Sequence, residues 1–235
     1  MANRSKRYRE SATKVNRTVH HTVAEAIELV KAAASAKFDE TVEVHIRLGV
    51  DPAKAEQQVR GTVVLPHGTG KVPRVAVFAE GEPAKQAEDA GADRVGSEDL
   101  VAAIEQGWDE FDILVAQPQL MRIVGRLGKK LGPRMPSKKA GTIMPDVAEV
   151  VRDLRSGRVE YRIDRGGVIH VPIGRVSYSD EQLRENLSAL LDAVVAARPG
   201  GVSGRYIRSI TLTSTMGPGV KLDVDQAVAA ASKAA

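Results

Sequence analysis

The sequence predicts two folds in one chain: an α+β unit, a split β-α-β-like sheet with helices, built from both chain ends, and an inserted three-layer α/β unit of Rossmann-like kind. Three observations carry this. At both ends the strands alternate apolar and polar residues, as a sheet with one wet face requires. In the middle, short strands that are apolar on both sides alternate with helices, as a parallel sheet covered on both faces requires. The style changes at "LPHGTGK" (65–71) and again at "RSGRVE" (155–160), both glycine-bearing. The expected division is 1–66 with 158–235 as the outer domain and 70–157 as the inserted one, with a hinge near 66–71 and 155–160 at Gly68, Gly70 and Gly157.

The elements follow in order. Thr22 with Glu25 three residues on is a capping-box pattern, and Ile27 and Val30 follow at helical spacing, so a helix is expected over about 22–36. In "TVEVHIRLGV", Val42, Val44, Ile46 and Leu48 take one face and Glu43, His45 and Arg47 the other. "QQVRGTVVL" reads as a second strand. "VPRVAVFAE", "DRVG" and "FDILVAQ" read as short strands of the inserted unit. "EPAKQAEDAGA", "SEDLVAAIEQG" and "MPDVAEVVRDLRSG" read as its helices, ending at Gly91, capped by Ser97 and ending at Gly157 respectively. "PQLMRIVGRLGKKLG" starts helical and breaks into a basic loop. "RVEYRID" and "GVIHVPIG" are expected to form a hairpin across Arg165-Gly166-Gly167. "SDEQLRENLSALLDAVVAARPGG" is the clearest helix, capped by Ser179 and Gln182 and apolar along Leu183, Leu187, Leu190, Leu191 and Val194. "YIRSITLTSTMGPGVKLDV" reads as strand, turn and short strand. The alanine-rich tail reads as a frayed helix.

Composition narrows the function classes. Zero cysteines exclude disulfides, thiolate metal sites and cysteine nucleophiles and fit a cytoplasmic protein. No run is apolar for long enough to span a membrane, and no apolar segment follows the basic N-terminus to make a secretory signal. The net charge is only +4, but its distribution is uneven. From Ile113 to Pro145 there is no acidic residue and seven basic ones: Arg122, Arg126, Lys129, Lys130, Arg134, Lys138 and Lys139. The first seventeen residues hold six basic side chains against Glu10 alone. A stretch of one sign is a field that attracts polyanions, although a basic face can also serve solubility alone. Aromatic residues are only 3% of the chain, so stacking on bases is not its main resource.

Enzyme motifs fail on inspection. "LPHGTGK" resembles a phosphate loop, but position 65 is Leu rather than Gly, Val72 follows Lys71 where a hydroxyl is needed, and Pro73 would break the helix. The five histidines, His20, His21, His45, His67 and His170, show no metal-ligand spacing, and no cofactor or metal site is expected. His45 reads as a solvated strand position and His170 as a strand residue near a basic turn. A phosphate-handling enzyme using Lys71 and Lys129 remains the competing class, beside an RNA-binding regulator acting off any larger particle.

One strand carries a polar row. In "SITLTSTMG", Ser209, Thr211, Thr213 and Thr215 share a face opposite Ile210 and Leu212. Stiff hydroxyls can bond phosphates and 2′-hydroxyls at little entropic cost, or simply face water. Met216 beside Gly217 would let backbone approach a ribose or base closely. Phe38, next to Lys37 at the entry to the first strand, is either such a contact or a core residue or helix staple.

The segments "SAKFDETVEVHIRLGVDPAKAEQQVRGTVVLPHGTGK", "AGADRVG", "KKLGPRMPSKKAGTI" and "TSTMGP", in this order, resemble the bacterial ribosomal L-one family, the proteins of the mobile stalk beside the exit site of the large ribosomal subunit. The resemblance implies an outer domain that binds a folded site in large-subunit rRNA and an inserted domain that meets deacylated exit-site tRNA. It also implies a structural, non-enzymatic role as a monomer within the ribosome, and repression of the protein's own operon mRNA. The matching RNA-contacting positions are Lys37, Phe38, Thr41, Ser209, Thr215, Met216 and Gly217, with Arg165 and His170 on the flanking hairpin. The chain departs at the basic loop. "GPRMPSKK" stands where the family pattern is near G-P-R-G-L-M-P-N-P-K, and "QPQLMR" where P-D-x-M-G is usual, so the loop is shorter and more basic.

Overall fold

The computed structural model describes residues 5–231, except Arg17 and the side chain of Lys139. Its elements run α1 (Lys6–Thr13), α2 (Val23–Ala33), β1 (Thr41–Leu48), β2 (Arg60–Val64), β3 (Val75–Phe78), α3 (Glu82–Asp89), β4 (Arg94–Gly96), α4 (Glu98–Glu105) and β5 (Ile113–Ala116). There follow the single turns α5 (Met121–Val124) and α6 (Gly128–Leu131), then α7 (Val147–Ser156), β6 (Arg158–Arg162), β7 (Val168–Arg175), α8 (Asp180–Ala196), β8 (Ile207–Ser214), β9 (Val220–Leu222) and α9 (Val224–Ala231). The fold is mixed α and β. Contacts divide the chain into two compact units, Met1–Gly70 with Gly157–Ala235, and Lys71–Ser156.

In the first unit, four strands form an antiparallel sheet in the order β7-β1-β8-β9. Alternation decides which face is covered. Val42, Val44, Ile46 and Leu48 of β1, Ile169, Val171 and Ile173 of β7, and Ile210 and Leu212 of β8 are all buried in one core. Helices α2, α8 and α9 supply its other wall. Both long helices start on capping boxes, Thr22 with Glu25 and Ser179 with Gln182. Each cap contributes about 1 kcal/mol, whereas each buried Leu of α8 contributes about 1.5–3 kcal/mol, so packing dominates and the caps set the start. The C-terminal segment differs from the frayed helix expected: Val224, Ala227 and Ala231 are buried, so α9 is a packed element, while residues 232–235 lie outside the described ones. Helix α1 had no sequence signal beyond its charge; its only buried residue is Ser11, although Lys14, just past its end, ties it to the Ala32 carbonyl at 2.8 Å.

The hairpin expected across Arg165-Gly166-Gly167 does not form as a regular pair. β6 instead pairs with β2 in a separate two-stranded ribbon, and β7 pairs with β1. The two segments share only an isolated bridge, Ile163 to Ile169. The turn between them is held by Asp164, whose Oδ1 accepts from the N–H groups of Gly166 and Val168, each at 2.8 Å. That side-chain capture redirects the chain into the other sheet.

The second unit is built on a parallel sheet ordered β4-β3-β5. Ala76, Phe78, Leu114 and Ala116 point to one side and pack with Leu100, Ile104, Val124 and Leu127. Val75, Val77 and Val115 point to the other and pack with Ala87, Val147, Val150 and Val151. This is a three-layer arrangement.

Candidate nucleic-acid interface

Helices cover one side of the four-stranded sheet, so the outward phase of its strands lines the other. The register sets these residues in rows. His170, His45, Thr211 and Lys221 form one; Pro172, Glu43 and Thr213 a second; Val168, Arg47 and Ser209 a third. The row of hydroxyls expected from period two is therefore on this face, with Ser209, Thr211 and Thr213 half-buried and Thr215 exposed beyond the strand end. Thr213 Oγ1 already donates within the chain, to the carbonyls of Ser214 and Gly217 at 3.0 and 3.3 Å. Thr211 and Ser209 face outward beside charged and imidazole neighbours.

At one end of the face the chain builds a rim. Thr41 and Thr215 clasp each other: Thr215 N donates to the Thr41 carbonyl at 3.0 Å, and Thr41 N donates to Thr215 Oγ1 at 3.0 Å. Beneath them lies Glu40, only 1% exposed. Its Oε1 accepts from the backbone of Ser35 and Ala36 at 2.9 and 2.8 Å, and its Oε2 from Met216 N at 2.9 Å. Burial alone would raise this carboxyl's pKa; the N–H donors of Met216, Ala36 and Ser35 outweigh it and hold the pKa below the ordinary value of 4.5. One buried carboxylate thus joins the loop before β1 to the turn after β8. From that clamp two apolar side chains project into solvent, Phe38 at 57% and Met216 at 44% exposure, with Lys37 exposed beside them. Of the readings of Phe38, the core residue is excluded. Gly217 completes the turn: a Cβ there would lie 2.4 Å from Ser214 Oγ, so a larger residue would have to displace that hydroxyl.

The structure thus brings Lys37, Phe38, Thr41, Thr215, Met216 and Gly217 together on one rim, with Ser209, Thr211 and Thr213 on the adjoining face. His170 lies on the same face, and Arg165 is exposed on the turn next to Asp164. Two residues escaped the sequence reading. Glu40 falls on the buried phase of β1, two residues before Val42, and a carboxylate at a core phase is the signal that marks it. His45 lies directly across from His170, with Nδ1 atoms 2.7 Å apart. Both histidines were legible as outward-facing, but their pairing depends on a register no local pattern discloses.

The basic stretch lies in the second unit. Leu120, Val124, Leu127 and Leu131 are buried, which turns Arg122, Arg126, Lys129, Lys130, Arg134 and Lys138 outward; the side chain of Lys139 lies outside the described residues. Two of these cations also hold the unit together. Lys130 donates to the Glu105 carbonyl, and Arg134 donates to the carbonyls of Asp109 and Phe111 at 3.3 and 3.2 Å while stacking 5.0 Å over the Phe111 ring.

The "LPHGTGK" stretch is a pinned strap with no phosphate-cradling helix behind it. Asn186, fully buried, accepts from His67 N at 3.0 Å and donates to the carbonyls of Gly68 and Ile173 at 2.9 and 2.8 Å. Tyr178 donates to the His67 carbonyl and Arg175 to that of Gly70. Gly68, Gly70 and Gly157 have φ of 63°, 75° and 103°. The two strap segments meet backbone to backbone, for a Cβ on Gly157 would lie 2.3 Å from Gly68 Cα.

A family model described as the ribosomal protein L1p/L10e family matches residues 29–218. The chain belongs to that family. The match covers the Glu40 clamp, the open sheet face, the whole second unit and the turn at Met216. Membership makes this a structural ribosomal protein that binds rRNA within the ribosome, in a family without enzymatic activity. Among the described residues, no helix is long and apolar enough to cross a membrane.

Proposed function

We propose that the unit built from both chain ends is the rRNA anchor, and that its grip is the rim formed by Lys37, Phe38, Thr41, Thr215, Met216 and Gly217, with Ser209, Thr211, Thr213, Arg165 and His170 flanking it. The observation that carries this is the buried Glu40 clamp, which joins the segment of Phe38 to that of Met216, 178 residues further along the chain, while both side chains stay exposed. A backbone already ordered beneath these side chains loses little further freedom when a ribose or base packs on them. The second unit is the tRNA-facing domain: its cationic field meets deacylated tRNA at the exit site through phosphates, without reading sequence. Gly68, Gly70 and Gly157 form the hinge between domains. The same rim would bind a similar fold in the protein's own operon mRNA and so repress it.

Binding measurements on the full chain test the division of labour. Met216→Ala or Thr215→Ala should weaken specific binding to a large-subunit rRNA fragment by about 1–3 kcal/mol, as for lost desolvated contacts. Replacing Arg122, Arg126 and Lys129 with Gln should leave that affinity nearly intact. Equal losses from both sets would show the division to be wrong.

A further inference from the structure

The open sheet face carries a directed chain of hydrogen bonds. Asp164 Oδ1 is occupied by two backbone N–H groups at 2.8 Å, and its Oδ2 faces His170 Nε2 at 3.4 Å. The Val168 N–H first, against slight burial, and then His170 hold this carboxyl below its ordinary range, so it is an acceptor only. His170 therefore carries its proton on Nε2. In the tautomer that this orientation sets, His170 Nδ1 is a lone pair, and the 2.7 Å contact to His45 Nδ1 takes its proton from His45. That leaves a lone pair on His45 Nε2. Burial first, and then His170, lower the pKa of His45 below 6.5 against the opposing Glu43, which keeps that ring neutral. Among the described residues, no partner occupies His45 Nε2. Its ring is half-buried on the outward phase of β1, opposite Thr211, with Glu43 and Arg47 on either side along the strand.

We infer that His45 is a further RNA-contacting residue, whose Nε2 is oriented by the Asp164–His170 pair as an acceptor for a ribose 2′-hydroxyl. A phosphate offers no proton to a lone pair, so this position does not suit the anionic backbone; a 2′-hydroxyl does, and it is what separates RNA from DNA. The scarcity of aromatic platforms on this face argues for ribose over a stacked base. The inference rests on the sheet face being the rRNA-binding surface, and it adds discrimination by sugar.

The test scans an rRNA fragment protected by the protein, replacing one ribose at a time with 2′-deoxyribose, against the wild-type chain, His45→Asn and His45→Phe. Asn keeps a polar donor near the Nδ1 position but lacks the Nε2 acceptor; Phe lacks both. One ribose should cost the wild type about three- to tenfold in affinity when deoxygenated, the worth of one hydrogen bond, and cost neither variant anything. Thermal melting identifies a variant that fails to fold, and either folded variant suffices. A deoxy-scan profile that is unchanged in His45→Asn overturns the assignment, as does a profile in which His45 responds only to removal of a base amino group. If Met216→Ala still weakens binding in that case, the sheet-face reading stands without His45. If the wild type shows no specific binding to the fragment, the wider reading falls.

Discussion

Glu40 does at the scale of one residue what the rim needs from two separate segments. Its three backbone donors reach it from Ser35, Ala36 and Met216, and it sits where β1 would otherwise place an apolar side chain. Glu40→Gln keeps the shape but removes the charge and turns a donor toward N–H groups. The variant should lose about 1–3 kcal/mol of stability at neutral pH, since hydrogen bonds to a charged group are at stake. The pH dependence has a definite sign. The folded-state pKa lies below 4.5, so the folded chain binds this proton more weakly than the unfolded chain. The stabilisation is complete above the ordinary carboxylate range and is lost as the pH falls through the depressed folded value. Denaturation curves should therefore show a gap between wild type and Glu40→Gln that is widest near neutrality and closes in acid. A gap independent of pH would mean the carboxylate's charge is irrelevant to the clamp.

At the scale of elements, the cations around α5 and α6 differ in what they bond to within the unit. Arg134 bridges to two carbonyls and a ring, whereas Arg122, Arg126 and Lys129 are exposed. Arg134→Ala should lower the stability of the full chain by about 1–2 kcal/mol through lost hydrogen bonds and stacking. The triple Gln variant should melt like wild type while its tRNA binding loses about 0.7–0.9 in log–log salt slope per phosphate contact removed. The same contrast explains what was legible in the sequence. The caps at Thr22 and Ser179, the alternation from Val42 to Leu48 and the outward row from Ser209 to Thr215 are local, and each appears as expected. The expected hairpin failed because β6 and β7 choose partners far away in the chain, and because Asp164 captures the turn. The tail was misjudged because alanines look weak until α8 is there to cover them. The Glu40 clamp and the His45–His170 pair depend on cross-strand register, which no window of sequence contains.

At the scale of the whole molecule, the strap is the feature that two crossings of the chain demand. Gly157 ends α7 at a φ of 103° with no room for a side chain against Gly68. Gly157→Ala combines an unfavourable backbone with a clash, so urea unfolding should report a loss of about 1–3 kcal/mol or more. Substitution with no effect would mean the strap is looser than its hydrogen bonds from Asn186, Tyr178 and Arg175 imply. The account's central claim, that the rim around Phe38 and Met216 grips folded rRNA, is tested most directly by hydroxyl-radical footprinting of the full chain on large-subunit RNA. Wild type should protect one compact, folded site, and Phe38→Ala with Met216→Ala should erase that protection while the Arg122, Arg126 and Lys129 variant retains it. Protection that survives loss of both side chains and vanishes with the cations would place the grip in the other unit and contradict the account.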